Sequence, residues 1–219
     1  MSEFIHNMKV VLDSNIIIAD FHFSSSEFKI LLTSAKIRRI ELYIPHIVLD
    51  EVFNKFRQQL EKSQSEICSG FENLNRLTKI GLESGVSNDF IAACKCNYES
   101  YIEEVISIHN IQIIPYPNTS HQYLAKKAMH IKKPFNINEK GYRDSLIWES
   151  VKSLISKDNA HIETSLEVVF ITGNYKDFLT DEGDFHDDLL SELKIEGIKS
   201  ESIFALRSVR DFNNNILLV

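Results

Sequence analysis

Cysteine is scarce in this 219-residue chain, which carries only Cys68, Cys94 and Cys96. An odd number without regular spacing excludes a disulfide framework. Cys94-Lys95-Cys96 is not a metal pair, because it falls in a helical pattern where residues i and i+2 face apart. Both read as structural, and reduced thiols fit a cytoplasmic protein. No apolar run approaches membrane-spanning length. Met1 to Asn7 carry no basic region and Asp13 interrupts the first apolar run, so no signal peptide is read. Positive charge is in deficit: 24 Lys and Arg face 31 Asp and Glu, a net charge of −7. General affinity for polyanions or anionic membranes is therefore not expected, and a polyanionic partner needs a local basic surface. The sequence contains no HExxH, no Cys-His zinc spacing, no GxxxxGK[ST], no GxGxxG and no GxSxG. Zinc hydrolysis, triphosphate or dinucleotide binding and nucleophile-elbow chemistry lack support. Repeats, low-complexity tracts and flexible linkers are also absent.

What remains is an ordinary globular composition, 43% hydrophobic and 25% charged, at a length that suits one α/β domain with a helical insertion. The apolar run Val10-Val11-Leu12 ends in Asp13 and reads as a buried strand, Lys9 to Leu12. Asn15 to Ala19 forms a loop or helix beneath it. Ser24-Ser25-Ser26-Glu27 starts a short helix over Phe28 to Ala35. Ile40 to Ile44 alternates as a second strand, punctuated by Pro45, which suits a helix start. A long helical pattern follows from Ile47 to about Leu77, with a break expected near Ser69-Gly70. Gly81 to Ser87 reads as a turn. Further helices are read over Asn88 to His109, Tyr123 to His130, Asp144 to Ile155 and Asp184 to Leu193. Strands are read at Ile111 to Ile114, Val168 to Thr172 and Ile203 to Leu206. Ser208 caps a closing helix over Val209 to Ile216. Alternating strands and helices predict a mostly parallel sheet with helices on both faces. The strand-poor stretch at about 56–110 reads as a helical elaboration of one domain spanning 1–219.

Four acidic places stand out by position. Asp13 ends the first strand, Glu51 lies early in the helix after the second, Asp144 opens a later helix, and Asp177 follows the second buried strand. In a parallel sheet, strand ends and the helix starts that follow them share one edge, where ligands bind. Asp144 continues the apolar stripe of Ile147, Trp148, Val151 and Ile155 and is expected to point at that edge. The plain alternative is a first-turn acid favoured by the helix dipole. Asp50 and Glu51 share that alternative, and adjacency leaves open which one points inward. A compact carboxylate cluster requires protonation or a cation. An all-oxygen site with open positions suits Mg²⁺ or Mn²⁺, which keep waters and take phosphate oxygens.

Taken in order, Val11-Leu12-Asp13-Ser14-Asn15, Pro45 to Val52, Gly141 to Trp148 and Phe170 to Phe178 resemble the PIN domain. The likeness spans Lys9 to about Leu206 and suggests a subgroup with larger helical insertions. It implies a Rossmann-like three-layer α/β/α nuclease with Mg²⁺ or Mn²⁺ in an acidic pocket, cutting RNA more often than DNA and leaving 5′-phosphate and 3′-hydroxyl ends. Asp13, Glu51 and Asp144 match the three principal acidic positions, for metal and catalysis alike. At the fourth, where many members carry an acid, this chain has Asn174, and Asp177 one turn on is the other candidate. Ser14 and Asn15 match a polar pair that often supports the first Asp, Thr172 precedes Asn174 in the last motif, and all three are expected to take part in substrate binding. Many bacterial members are toxins, so an antitoxin or inhibitor protein and a homodimer are partners to consider, with no residue specific to either.

Between His121 and Arg143, the residues Lys126, Lys127, Lys132, Lys133, Lys140 and Arg143 face Glu139 alone, a local net of +5. Lys140 and Arg143, beside Asp144, are read as substrate-binding. Lys126 and Lys127 are read as a solvated face. Tyr123, Phe135 and Tyr142 are candidates for base stacking. Two rival readings are a non-catalytic PIN-like scaffold for RNA or protein, which Asn174 favours, and a small-nucleotide phosphohydrolase, which has no need of the basic strip.

Overall fold

The computed structural model describes residues 8–138, 140–156 and 166–217. Met1 to Asn7 and Glu139 lie outside these. The first strand, β1 (Lys9–Leu12), is followed by α1 (Ser14–Ala19), α2 (Ser26–Lys36), β2 (Glu41–Pro45), α3 (His46–Thr78) and α4 (Asn88–Ile108). Next come β3 (Gln112–Ile114), α5 (His121–Met129), α6 (Tyr142–Lys152), β4 (Val168–Ile171) and α7 (Tyr175–Phe178). The chain closes through α8 (Asp187–Ile195), β5 (Ile203–Leu206) and α9 (Val209–Phe212).

The strands form one sheet in the order β3-β2-β1-β4-β5, and every pairing is parallel. Val10, Val11 and Leu12 of β1 and Val168 to Ile171 of β4 are wholly buried, as strands covered on both faces must be. Each such side chain contributes about 1.5–3 kcal/mol through burial. Helices cover the two faces in separate groups. One comprises α1, α3 and α6, with α5 on α6; on the other, α2 packs against α9. The result is the three-layer α/β/α arrangement.

Chain order reverses at β1: β2 and β3 lie to one side, β4 and β5 to the other. The crevice at the carboxyl ends of β1 and β4 is therefore the topological switch point, where open α/β sheets bind ligands.

The expected break near Ser69-Gly70 does not occur, and α3 runs unbroken for 33 residues, roughly 50 Å. A Cβ on Gly70 would meet nothing within 4 Å. An isolated exposed glycine costs a helix only about 1 kcal/mol, too little to end one so long. The buried residues of α3 are Ile47, Val48, Leu49 and Val52, all in its first two turns. Beyond them α4 runs alongside, joined by Lys95–Glu61 and by Tyr98 stacked on Phe56 with centroids 3.8 Å apart. Among the described residues, no helix is long and apolar enough to cross a membrane.

Two expectations about the basic strip are overturned. Lys127 is not solvated: it is buried on the inner face of α5 with Leu124, and its ammonium lies 2.7 Å from Glu192 Oε1. Buried Lys152 joins the same network through Glu192, at 3.8 Å, and also pairs with Glu149, at 3.0 Å, and with Glu196. Paired carboxylates make such burial tolerable. Phe135 cannot stack on bases, because only 3% of it is exposed.

Candidate acidic site at the sheet switch point

Asp13 caps α1, and 1% of it is exposed. Its Oδ1 accepts from the backbone N–H of Ser14 at 2.6 Å. Its Oδ2 accepts from the Thr172 hydroxyl at 2.5 Å. Register produces this meeting: Leu12 pairs with Ile171, so the next residue of each strand emerges at the same level. Thr172 Oγ1 in turn accepts from the N–H of Asn174 at 3.0 Å. Asn15 Oδ1 accepts from the N–H of Gly173 at 2.9 Å, closing β1 and β4 into one polar edge.

Glu51 is the inward member of its pair. Its side chain is 13% exposed, against 51% for Asp50. It is held by Arg143 from α6. Asp144, in the first turn of the same helix, is half-buried and accepts from the Asn174 side-chain amide at 3.1 Å. Asp177 lies 3.7 Å from the Lys133 ammonium, and that lysine also donates to the Lys176 carbonyl at 3.0 Å. The site is aimed by Gly141, whose φ is +126° and where a Cβ would sit 2.5 Å from the Pro134 carbonyl oxygen. Only glycine lets the start of α6 lie this close to the 134–135 backbone.

Burial, opposed by the Thr172 hydrogen bond and reinforced by the nearby charge of Asp144 and Glu51, pushes Asp13 up from 3.8 to about 6. Asp144 is also raised, by burial and by Asp177 and Glu51, against the Asn174 hydrogen bond and Arg143. Asp13 and Asp144 are thus both buried within the field of neighbouring carboxylates, which disfavours their ionised forms. Among the described residues, no three His, Cys, Asp or Glu side chains close on a common point, since Glu51 is turned to Arg143 and Asp177 to Lys133. The donor set is nonetheless hard oxygen, the chemistry that Mg²⁺ and Mn²⁺ prefer. The destabilised Asp13 carboxylate is the group such an ion would relieve.

The other residues read from the sequence fall into two groups. Ser14 and Thr172 are buried and committed to Asp13. Lys140 is exposed, and Arg143 reaches the edge with its side chain 56% exposed. Sequence reasoning counted Lys133 in the basic strip but did not foresee its pairing with Asp177. It also gave no sign of Arg207, whose guanidinium lies 4.2 Å from the centre of the Tyr175 ring. Both contacts join elements distant in sequence, and no local pattern encodes them.

No curated protein and no solved structure matches the chain. A family model described as PIN domain matches residues 10–178, which takes in Asp13, Glu51, Asp144, Asn174 and Asp177. With the match spanning well over half of its length, this chain belongs to the PIN domain family.

Proposed function

We propose that this chain is a cytoplasmic, metal-dependent endonuclease, favouring RNA over DNA, built as one PIN domain with a helical elaboration at about 56–110. PIN domains are commonly nucleases, which supports the class. The observation that carries the reading is Asp13: a buried carboxylate pushed up to about 6 by burial and by the acids beside it, at the sheet's switch point. Asp13, Glu51 and Asp144 would hold Mg²⁺ or Mn²⁺, with Asp177 or Asn174 completing the set. A divalent ion there would supply an activated water and neutralise charge building on a phosphodiester. Thr172 and Ser14 fix the Asp13 carboxylate, while Arg143 and Lys140 hold the phosphates on either side of the reacting bond.

Two contacts favour a second reading. Asn174 gives its amide to Asp144 and Arg143 neutralises Glu51, as in a PIN-like scaffold that binds RNA or a protein without cutting. The two separate cleanly. Purified protein is incubated with single-stranded RNA and DNA oligonucleotides in Mn²⁺, Mg²⁺ or EDTA, beside Asp144→Asn. Metal-dependent cutting that the variant lacks supports the nuclease and tells RNA from DNA. No cutting, with no Mn²⁺ binding by calorimetry, favours the scaffold.

A further inference from the structure

A cleft of about 500 Å³ opens beside the acidic edge, between the first turns of α3, the loop after β3 and the first turn of α6. Glu51 and Arg143 line both the cleft and the edge, so a chain lying across one enters the other. Its volume falls in the range of about 300–1,000 Å³ usual for small-ligand pockets. The floor is apolar, formed by buried Ile47 and Leu146, and the walls carry half-exposed Tyr116 and Tyr142.

Tyr116 is held in place before any ligand arrives. Its hydroxyl donates to Asp50 Oδ2, and its ring centre lies 5.4 Å from that of His46. The His46 Nδ1 is itself 3.4 Å from the same Asp50 oxygen. A ring fixed in this way loses little freedom when a flat ligand stacks on it. Both contacts of Asp50 go through Oδ2, so Oδ1 is left to accept from a ligand among the described residues. An ionised carboxylate accepts and cannot donate.

We infer that this cleft seats one nucleobase of a single-stranded substrate, stacked by Tyr116 and Tyr142, and selects bases with an exocyclic amine through Asp50. Adenine, cytosine and guanine present an amino group to the carboxylate. Uracil has none, and its single N3–H donor is flanked by two carbonyl oxygens, which the carboxylate repels. The base lies next to the phosphate that Arg143 reaches, so the cleft sets where the strand is gripped relative to the acids. The inference rests on nucleic acid being the substrate. It deepens that reading from a class of polymer to a base preference.

The test is binding without chemistry. Short fluorescein-labelled oligoadenylate, oligocytidylate and oligouridylate are titrated in EDTA and followed by anisotropy, with wild type, Asp50→Asn and Tyr142→Ala. Adenylate and cytidylate should bind roughly tenfold tighter than uridylate, the effect of one hydrogen bond to a charged group. Asp50→Asn, which offers a donor as well as an acceptor and keeps Tyr116 in place, should erase that difference. Tyr142→Ala should weaken all the strands on the order of tenfold. Both side chains are exposed, and matching melting curves show that the variants fold. Equal binding of the three strands, or variants that leave the affinities unchanged, overturns the pocket. Cutting of RNA in Mn²⁺ without base selectivity removes the pocket alone. Selective binding without any cutting and without Mn²⁺ binding keeps the pocket and removes the nuclease.

Discussion

The Thr172 hydroxyl donates to the Asp13 carboxylate at 2.5 Å, joining the ends of the two central strands at a point where neither side chain reaches water. Each residue follows a strand whose partner register is fixed by a run of buried aliphatic side chains. The contact is thus a product of core packing, although both partners are polar.

Thr172→Val keeps the shape and removes the donor. A buried acceptor that loses its partner costs about 1–3 kcal/mol, so urea midpoints at neutral pH should fall accordingly. Thr172→Ser should recover most of the loss. A valine variant as stable as wild type at neutral pH would show that the bond contributes nothing.

Stability should decline as pH rises from about 4 to 6. Asp13 holds its proton up to about 6 in the fold but releases it near 3.8 when unfolded, so in that window the native state binds the extra proton. Raising pH therefore favours unfolding, by about 3 kcal/mol across the window from this group, and the curve flattens above it. Asp13→Asn should make the slope shallower, leaving the part of the same sign that Asp144 contributes, and be the more stable protein at neutral pH. Denaturant titrations at stepped pH without divalent ions check this, and an unchanged slope in the variant would refute it.

Arg143 occupies Glu51 in the structure. Arg143→Ala should then strengthen Mn²⁺ binding several-fold, by freeing a carboxylate and removing a repelling charge, while weakening RNA binding. Calorimetry with Mn²⁺ and anisotropy with RNA read the two effects separately. A loss of both affinities would place Arg143 in support of the fold instead.

Adjacent lysines should behave differently. Lys126→Ala, at an exposed position, should change stability by no more than about 0.5 kcal/mol. Lys127→Ala takes the nearest cation from half-buried Glu192 and should cost about 3 kcal/mol, while Lys127→Met should recover part of that. Chemical denaturation of the three proteins settles the contrast.

Much of this architecture is legible in the chain. Val10 to Leu12 and Val168 to Ile171 announce central strands because they are apolar without alternation. Ser25 and Ser208 cap the helices that follow them. The order of Asp13, Glu51 and Asp144 along strand ends and helix starts places them on one edge by topology alone. Pairings across the fold are not legible. Lys127 reads as a surface lysine because its partner lies on α8, far along the chain. Phe135 reads as a stacking aromatic because nothing local says that its ring is buried. The unbroken α3 defeats a turn-residue argument, since one glycine is too weak a signal in a helix of that length. The tie between Arg143 and Glu51 depends on how α3 and α6 lean together, which periodicity does not encode.

The reversal of strand order at β1 has a consequence in time. The acidic edge needs β4 beside β1, yet the two are separated by most of the chain, with α3, α4 and α6 emerging between them during synthesis. A growing polypeptide holding Asp13, Glu51 and Asp144 still lacks Thr172, Asn174 and the strand that seats them. Whatever chemistry this edge performs is withheld from the nascent chain until β4, Thr172 and Asn174 have left the ribosome.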